Sequence, residues 1–384
     1  MNDLIPYLSW WRTIRTRDRE IVEALVDREH RGPSAELQAA LGAWDGLHYW
    51  SRIEGVDRLV LIRSLQPRQR ERWWLHGILF AATFLTVWMS GALLTGSSLP
   101  WAFPFSIDYA RAPEFVGELF GELVRLPGSL GFAMALMAIL LAHESGHYIG
   151  ARRYGLNASP PYFLPAPPIV NFIGTFGAFI RLRSQVLDRR QLMDVGAAGP
   201  WAGFVVAIVA LVVGLLRSQI VPELGPSHQF VMLAESRIYL GDSPIFIAFR
   251  ELLVGEGTVL LHPLAFAGWI GILVTTLNLL PLGQLDGGHV LYAMFGRRQG
   301  AVSAVAFVGL FALGYVVGRE VSPWIAWFWW TWAGLILIVG RGRLVHPSVL
   351  DPHRPLPLSR KLLGVATLVL FLATFSPVPM FPMW

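Results

Sequence analysis

Residues 130–150 read Leu-Gly-Phe-Ala-Met-Ala-Leu-Met-Ala-Ile-Leu-Leu-Ala-His143-Glu144-Ser-Gly-His147-Tyr-Ile-Gly150. An apolar run of this length predicts a membrane-spanning helix, since a bilayer core needs roughly 20 such residues. Three ionisable side chains interrupt it near one end, and ionisable groups at membrane depth are functional candidates by default. Positions four apart share one face of a helix, so His143 and His147 present two imidazoles together. His-Glu-x-x-His on a helix offers that pair to Zn²⁺ and sets Glu144 beside it as a general base. Without a metal, three uncompensated polar groups in hydrocarbon would be expensive.

Further apolar runs lie at Leu75–Thr95, Val195–Leu216, Pro263–Leu282, Ala301–Val317, Trp324–Val339 and Leu362–Phe375. Only 15% of the 384 residues are charged and 54% are hydrophobic, whereas a soluble domain carries about 25% charge. The expected fold is therefore an all-α polytopic membrane protein. It would have six or seven transmembrane helices, a small membrane-associated β-hairpin and a short soluble N-terminal region. Residues 1–74 form that soluble or interfacial region. Residues 75–300 form the membrane core and 301–384 the additional C-terminal spans. In 1–74, Ile21, Leu25 and Val26, then Leu37, Leu41 and Trp44, predict short amphipathic helices, with Ser34 as an N-cap. No signal peptide is expected, because the cluster Leu8–Trp11 is short and charge follows it. Trp73 and Trp74 read as boundary aromatics.

All but one of the 31 basic residues are Arg, the exception being Lys361. They fall at the ends of apolar runs and form no single patch, so no nucleic-acid partner is expected. Loop 151–193 holds six Arg, segment 341–361 five basic residues, and the 283–300 turn Arg297 and Arg298. The positive-inside rule then orients the N-terminus and the His-Glu-x-x-His end towards the cytoplasm, in a membrane read as the bacterial inner membrane. The chain has no Cys, so any metal must be held by His, Asp or Glu.

Two His leave a catalytic zinc site one protein ligand short. The fourth run supplies the other polar cluster, Asn278-Leu-Leu-Pro281-Leu-Gly283-Gln-Leu-Asp286-Gly287-Gly288-His289. Pro281 and the glycines break or kink the helix there, and irregular backbone at depth must be buried or line a wet cavity. Asp286 is the natural third ligand. The other readings are a helix cap for Asp286, a rival ligand or boundary role for His289, and a helix–helix hydrogen bond for Asn278.

These two motifs resemble the site-2 protease family of intramembrane zinc metalloproteases. The family carries His-Glu-x-x-His in one span and Asn-x-x-Pro-x-x-x-x-Asp-Gly in a later one. Gly174-Thr-Phe-Gly-Ala-Phe-Ile-Arg-Leu-Arg183 and Asp194-Val-Gly-Ala-Ala-Gly-Pro-Trp-Ala-Gly203 are similar to the branch without a PDZ domain. The resemblance covers about residues 128–300. It implies one Zn²⁺ held by His143, His147 and Asp286, Glu144 as general base, and Asn278 holding the substrate or the oxyanion. Its implied partners are transmembrane protein substrates and the lipid bilayer.

Gly174–Arg183 reads as a strand or hairpin whose edge accepts an unwound substrate, or as a packing element only. Ser159–Pro168 is too Pro-rich for a helix and reads as extended or re-entrant. Gly199, Gly203 and Gly214 are expected to allow close helix packing. The competing functions are an inactive relative that binds membrane proteins, a metal or solute transporter, and a membrane anchor.

Overall fold

The computed structural model describes residues 3–15, 19–30, 34–53, 56–65, 71–95, 127–168, 170–221, 228–233, 236–352 and 354–383. Strands β1 (Leu8–Arg15), β2 (Arg19–Val26), β3 (Leu47–Ile53) and β4 (Val56–Ser64) form an antiparallel sheet in the order β1-β2-β4-β3. Helix α1 (Ala35–Gly42) starts as expected at Ser34, whose Oγ accepts from the Leu37 amide. The helix expected around Ile21, Leu25 and Val26 is instead β2. The physical reason is that both faces of this strand are covered. Val22, Ala24 and Val26 pack with Leu37 and Leu41 of α1, while Ile21 packs with Val60, Ile62 and Leu187 on the other side. Burial on two faces removes the alternation that would reveal a strand.

The helices that follow are α2 (Trp73–Leu94), α3 (Pro127–Arg153), α4 (Arg189–Leu215), α5 (Pro244–Leu253), α6 (Pro263–Leu279) and α7 (Asp286–Phe295). After them come α8 (Gln299–Glu320), α9 (Pro323–Val339) and α10 (Leu358–Thr374). Four helical stretches, Trp73–Leu94, Gly128–Arg153, Arg189–Leu215 and Asp286–Glu320, are long and apolar enough to cross a membrane. α6 and α9 are apolar but only 17 residues each. Among the described residues the structure thus supports four spans by length, against the six or seven expected. α6 is short because the backbone leaves the helix at Leu280, just before Pro281. Trp73 and Trp74 stand exposed at the start of α2.

α3, α4 and α6 meet at the centre through small residues. A Cβ on Gly214 would lie 2.0 Å from the Ala265 nitrogen, and one on Gly268 would lie 2.5 Å from that of Leu211. Helices approach this closely only where side chains are absent.

Two further β elements accompany the helices, the first in the region where a hairpin is expected and the second, a five-stranded sheet, a correction to the all-α expectation. Strands β5 (Tyr162–Pro165) and β6 (Thr175–Phe179) pair antiparallel, so the Pro-rich stretch contributes a strand. Their connection packs deep against α2, where the Thr86 hydroxyl donates to the Gly174 carbonyl at 2.6 Å. A five-stranded sheet also forms from β7 (Gln219–Ile220), β8 (Gln229–Leu233), β9 (Ser236–Leu240), β10 (Val259–Leu260) and β11 (Met380–Met383), ordered β11-β9-β8-β10-β7.

Candidate metal centre

His143, Glu144 and His147 occupy α3 where it crosses α4, and all three are buried. The broken stretch 280–285 separates α6 from α7 and turns the chain so that Asp286 opens α7. A Cβ on Gly287 would lie 2.0 Å from the Leu279 carbonyl oxygen, so only glycine allows that reversal. The result brings the two sequence motifs together. Asp286 Oδ2 is 3.3 Å from His143 Nε2 and 3.2 Å from His147 Nε2, and the two nitrogens are 3.1 Å apart.

Zinc bonds of about 2.0–2.1 Å in a tetrahedron place ligand atoms roughly 3.3–3.4 Å from one another. The observed triangle is close to one face of such a tetrahedron. Its protonation chemistry also fits. The Val195 carbonyl is 2.8 Å from His147 Nδ1 and can only accept, so Nδ1 carries the proton. In the neutral ring Nε2 then offers a lone pair to the point where the Asp286 carboxylate also aims. This group of His143, His147 and Asp286 can hold a metal ion.

Glu144 is buried beside the pair and takes a hydrogen bond from the Ile180 backbone amide. Ser159 donates its amide to the Arg181 carbonyl, and the Arg183 amide donates to the Asn157 carbonyl. Residues 181 and 183 therefore face the neighbouring strand, and the alternate amide of Ile180 faces the metal group. Asn278 ends α6 with Nδ2 at 3.4 Å from His143 Nε2. Asp286 makes no side-chain cap for α7, whose N-cap is Leu285. His289 lies outside the triangle, with its ring edge-on to His346 at 4.8 Å between centroids.

Two features of the site escaped the sequence reading, a pair of glycines and a backbone carbonyl. A Cβ on Gly199 would fall 2.0 Å from His147 Nε2, and one on Gly203 would fall 3.0 Å from His143 Cβ. Those glycines, assigned only to helix packing, make the room in which the imidazoles stand. The second is the Val195 carbonyl, a backbone group that no side-chain pattern announces.

Peptidase family M50 matches residues 131–316, which include every residue of the triangle. The matched region is that of peptidase family M50, the site-2 protease family. One M50 relative, "Probable zinc metalloprotease EGY1, chloroplastic" of Oryza sativa subsp. japonica, is 32% identical over 255 residues, 64% of this chain and 42% of the relative. The protein of the same name from Arabidopsis thaliana is 29% identical over 314 residues, covering 79% and 54%. "Probable zinc metalloprotease EGY2, chloroplastic" of Oryza sativa subsp. indica is 30% identical over 267 residues, covering 68% and 45%. The chain spans about half the length of the curated relatives it matches. No solved structure matches it.

Proposed function

We propose that this chain is an intramembrane zinc metalloprotease that hydrolyses peptide bonds within or near the transmembrane segments of membrane-protein substrates. The observation that carries the reading is the ligand triangle with Glu144 beside it, and the names of the M50 relatives support the metal. His143, His147 and Asp286 would hold one Zn²⁺ per chain, and the bound ion would supply a water with its pKa lowered towards about 7. Glu144 would take the proton of an attacking water and hand it to the leaving amine. Asn278 directs its amide N–H groups at the developing oxyanion.

A transmembrane helix hides its peptide bonds, so the substrate must unwind at the cut. Its freed amides and carbonyls each cost several kcal/mol in lipid unless partnered. The free edge of β6 meets that need, since it runs on into Ile180, whose amide binds Glu144, and the substrate can add there as a strand. The chain is a multi-pass protein with six or seven spans, in this reading of the bacterial inner membrane. Its Arg-rich loops, and with them the active-site end and the N-terminal sheet, face the cytoplasm. The presence of Glu144 favours proteolysis over a ligand-binding relative or a transporter, neither of which needs a base next to the metal.

Purified protein is expected to contain one zinc per chain and to cleave a single-span substrate inside its apolar segment. Glu144→Gln keeps the zinc and loses about 10²–10⁴ in rate. Cleavage by that variant at the wild-type rate, measured on a reconstituted substrate in detergent or vesicles, refutes the general-base role.

A further inference from the structure

On the side of α3 turned away from the substrate strand, a groove of about 620 Å³ runs between α3, α4 and α10. Its floor is formed where α3 and α4 touch, at Gly146, Gly150, Ala197 and Ala198. A Cβ on Gly146 would sit 2.4 Å from the Ala198 carbonyl oxygen, so the floor is bare backbone and methyl groups. Ile149, Trp201 and Leu363 wall it, and Ile149 is 51% exposed. The walls are apolar, and those on α3 and α4 belong to helices long enough to span a membrane.

One end of the groove has a different chemistry. Arg153, Tyr154, Asp194 and Arg360 line it. Asp194 accepts from the Tyr154 hydroxyl and from Arg360, whose Nη2 is 3.0 Å from Oδ2. Arg190 lies beside Tyr154, and its Nε is buried without a hydrogen-bond partner. Arg153 is exposed and makes no ion pair among the described residues. Arg153 and Arg360 thus line the mouth with one carboxylate, and Arg190 adds a further positive charge beside Tyr154, so the end of the apolar trough carries an excess of positive charge.

We infer that this groove is a binding site for one anionic phospholipid, its phosphate at Arg153 and Arg190 and an acyl chain along Gly146, Gly150 and Trp201. Charge complementarity selects the occupant: the mouth calls for an anion, and the trough for a hydrocarbon chain attached to it. Guanidinium groups suit phosphate oxygens, which accept paired N–H donors. A polypeptide span brings no anion to that depth, and free phosphate leaves the trough unfilled. The seated lipid braces the contact between α3 and α4, the same two helices that hold His147 to the Val195 carbonyl.

The test uses the full chain, exchanged into vesicles of equal parts phosphatidylglycerol and phosphatidylcholine, then released gently and weighed by native mass spectrometry. It reads bound lipid and needs no proteolysis, so it stands or falls apart from the proposed activity. The wild type is expected to retain one phosphatidylglycerol in preference to phosphatidylcholine. Arg153→Gln removes an exposed charge and lowers retention about tenfold or more, as loss of a charged hydrogen bond to phosphate requires. Ile149→Trp fills the trough from an exposed position and lowers retention similarly with no change in charge. Millimolar inorganic phosphate does not displace the lipid. Equal retention of the two lipids, indifference to both substitutions, displacement by inorganic phosphate, or capture of a substrate span by a photocrosslinker at position 149 would each overturn the assignment.

Discussion

At position 199 a single hydrogen atom decides whether the site can form. The would-be Cβ at 2.0 Å from His147 Nε2 overlaps the imidazole itself, and that ring cannot swing away without giving up its 2.8 Å hydrogen bond to Val195. Gly199→Ala is therefore expected to cut both zinc content and cleavage severely. Gly309→Ala, in α8 with nothing within 4 Å of the new methyl, should change neither, and metal analysis of the two variants side by side checks this. Asn278 makes a different prediction, because it approaches His143 without belonging to the ligand triangle. Asn278→Ala should keep the metal and lose about 10²–10³ in kcat, the usual cost of an oxyanion donor. Lost zinc would instead assign Asn278 to holding His143 in place. At this scale the cluster of His143, His147 and Asp286 was legible because helix periodicity and membrane cost act on side chains. Gly199 and the Val195 carbonyl were not, because their roles exist only where α4 crosses α3.

Among the elements, the β5–β6 pair is fastened to the start of α2 by Glu71 and Arg183. Arg183 donates to both Glu71 carboxylate oxygens, one of them at 3.2 Å. That hydrogen bonding, opposed in part by burial, holds the Glu71 carboxyl below its ordinary value of 4.5. A carboxylate with a lowered folded-state pKa stabilises the fold at pH values above 4.5, and the gain is lost as pH falls through the depressed value. Amides of β6 should therefore lose protection as the pH falls below 4.5, corrected for intrinsic exchange. The loss should be at most about fivefold, since such partly exposed pairs contribute up to about 1 kcal/mol. Glu71→Gln should abolish the pH dependence, and an unchanged profile in that variant would detach the effect from this pair. The Pro-rich strand and its partner were readable from composition, which excludes helix. The five-stranded sheet was not, because β7 and β10 are two residues each and β11 pairs with β9 from about 140 positions away. No local pattern encodes a strand whose partner arrives from the other end of the chain.

Across the whole molecule, the segment between α9 and α10 ties the N-terminal sheet to the loop that carries Asp286. At one end the Gly283 amide donates to the Leu344 carbonyl at 3.1 Å, and the His346 ring meets His289. Burial first, and His289 second, push His346 down to about 3, so the His346 ring is neutral near neutral pH. At the other end Asp351 accepts from the Ser51 hydroxyl at 3.0 Å and from the Tyr49 hydroxyl at 3.4 Å. Burial and the neighbouring Asp351 and Asp188 raise the Tyr49 phenol well above its ordinary value, so it remains a donor. Arg354 completes the joint, with its guanidinium 4.3 Å from the Tyr49 ring centroid and Nη1 2.5 Å from the buried Asp188 carboxylate. Asp188 in turn caps α4 by accepting from the Gln191 amide. The same joint explains the strand at Ile21: the sheet has a covered second face only because Leu187 and Leu350 press against it. Removing Arg354 leaves a buried carboxylate short of a donor, which costs about 1–3 kcal/mol or more for a charged group. Arg354→Ala should accordingly speed amide exchange in β3 and β4 by about 10- to 100-fold. Zinc content should stay at the wild-type level, because no ligand of the triangle touches the joint. Protection in β3 and β4 equal to wild type would show that the sheet holds to the membrane core by its apolar face alone, with Asp188 satisfied by water.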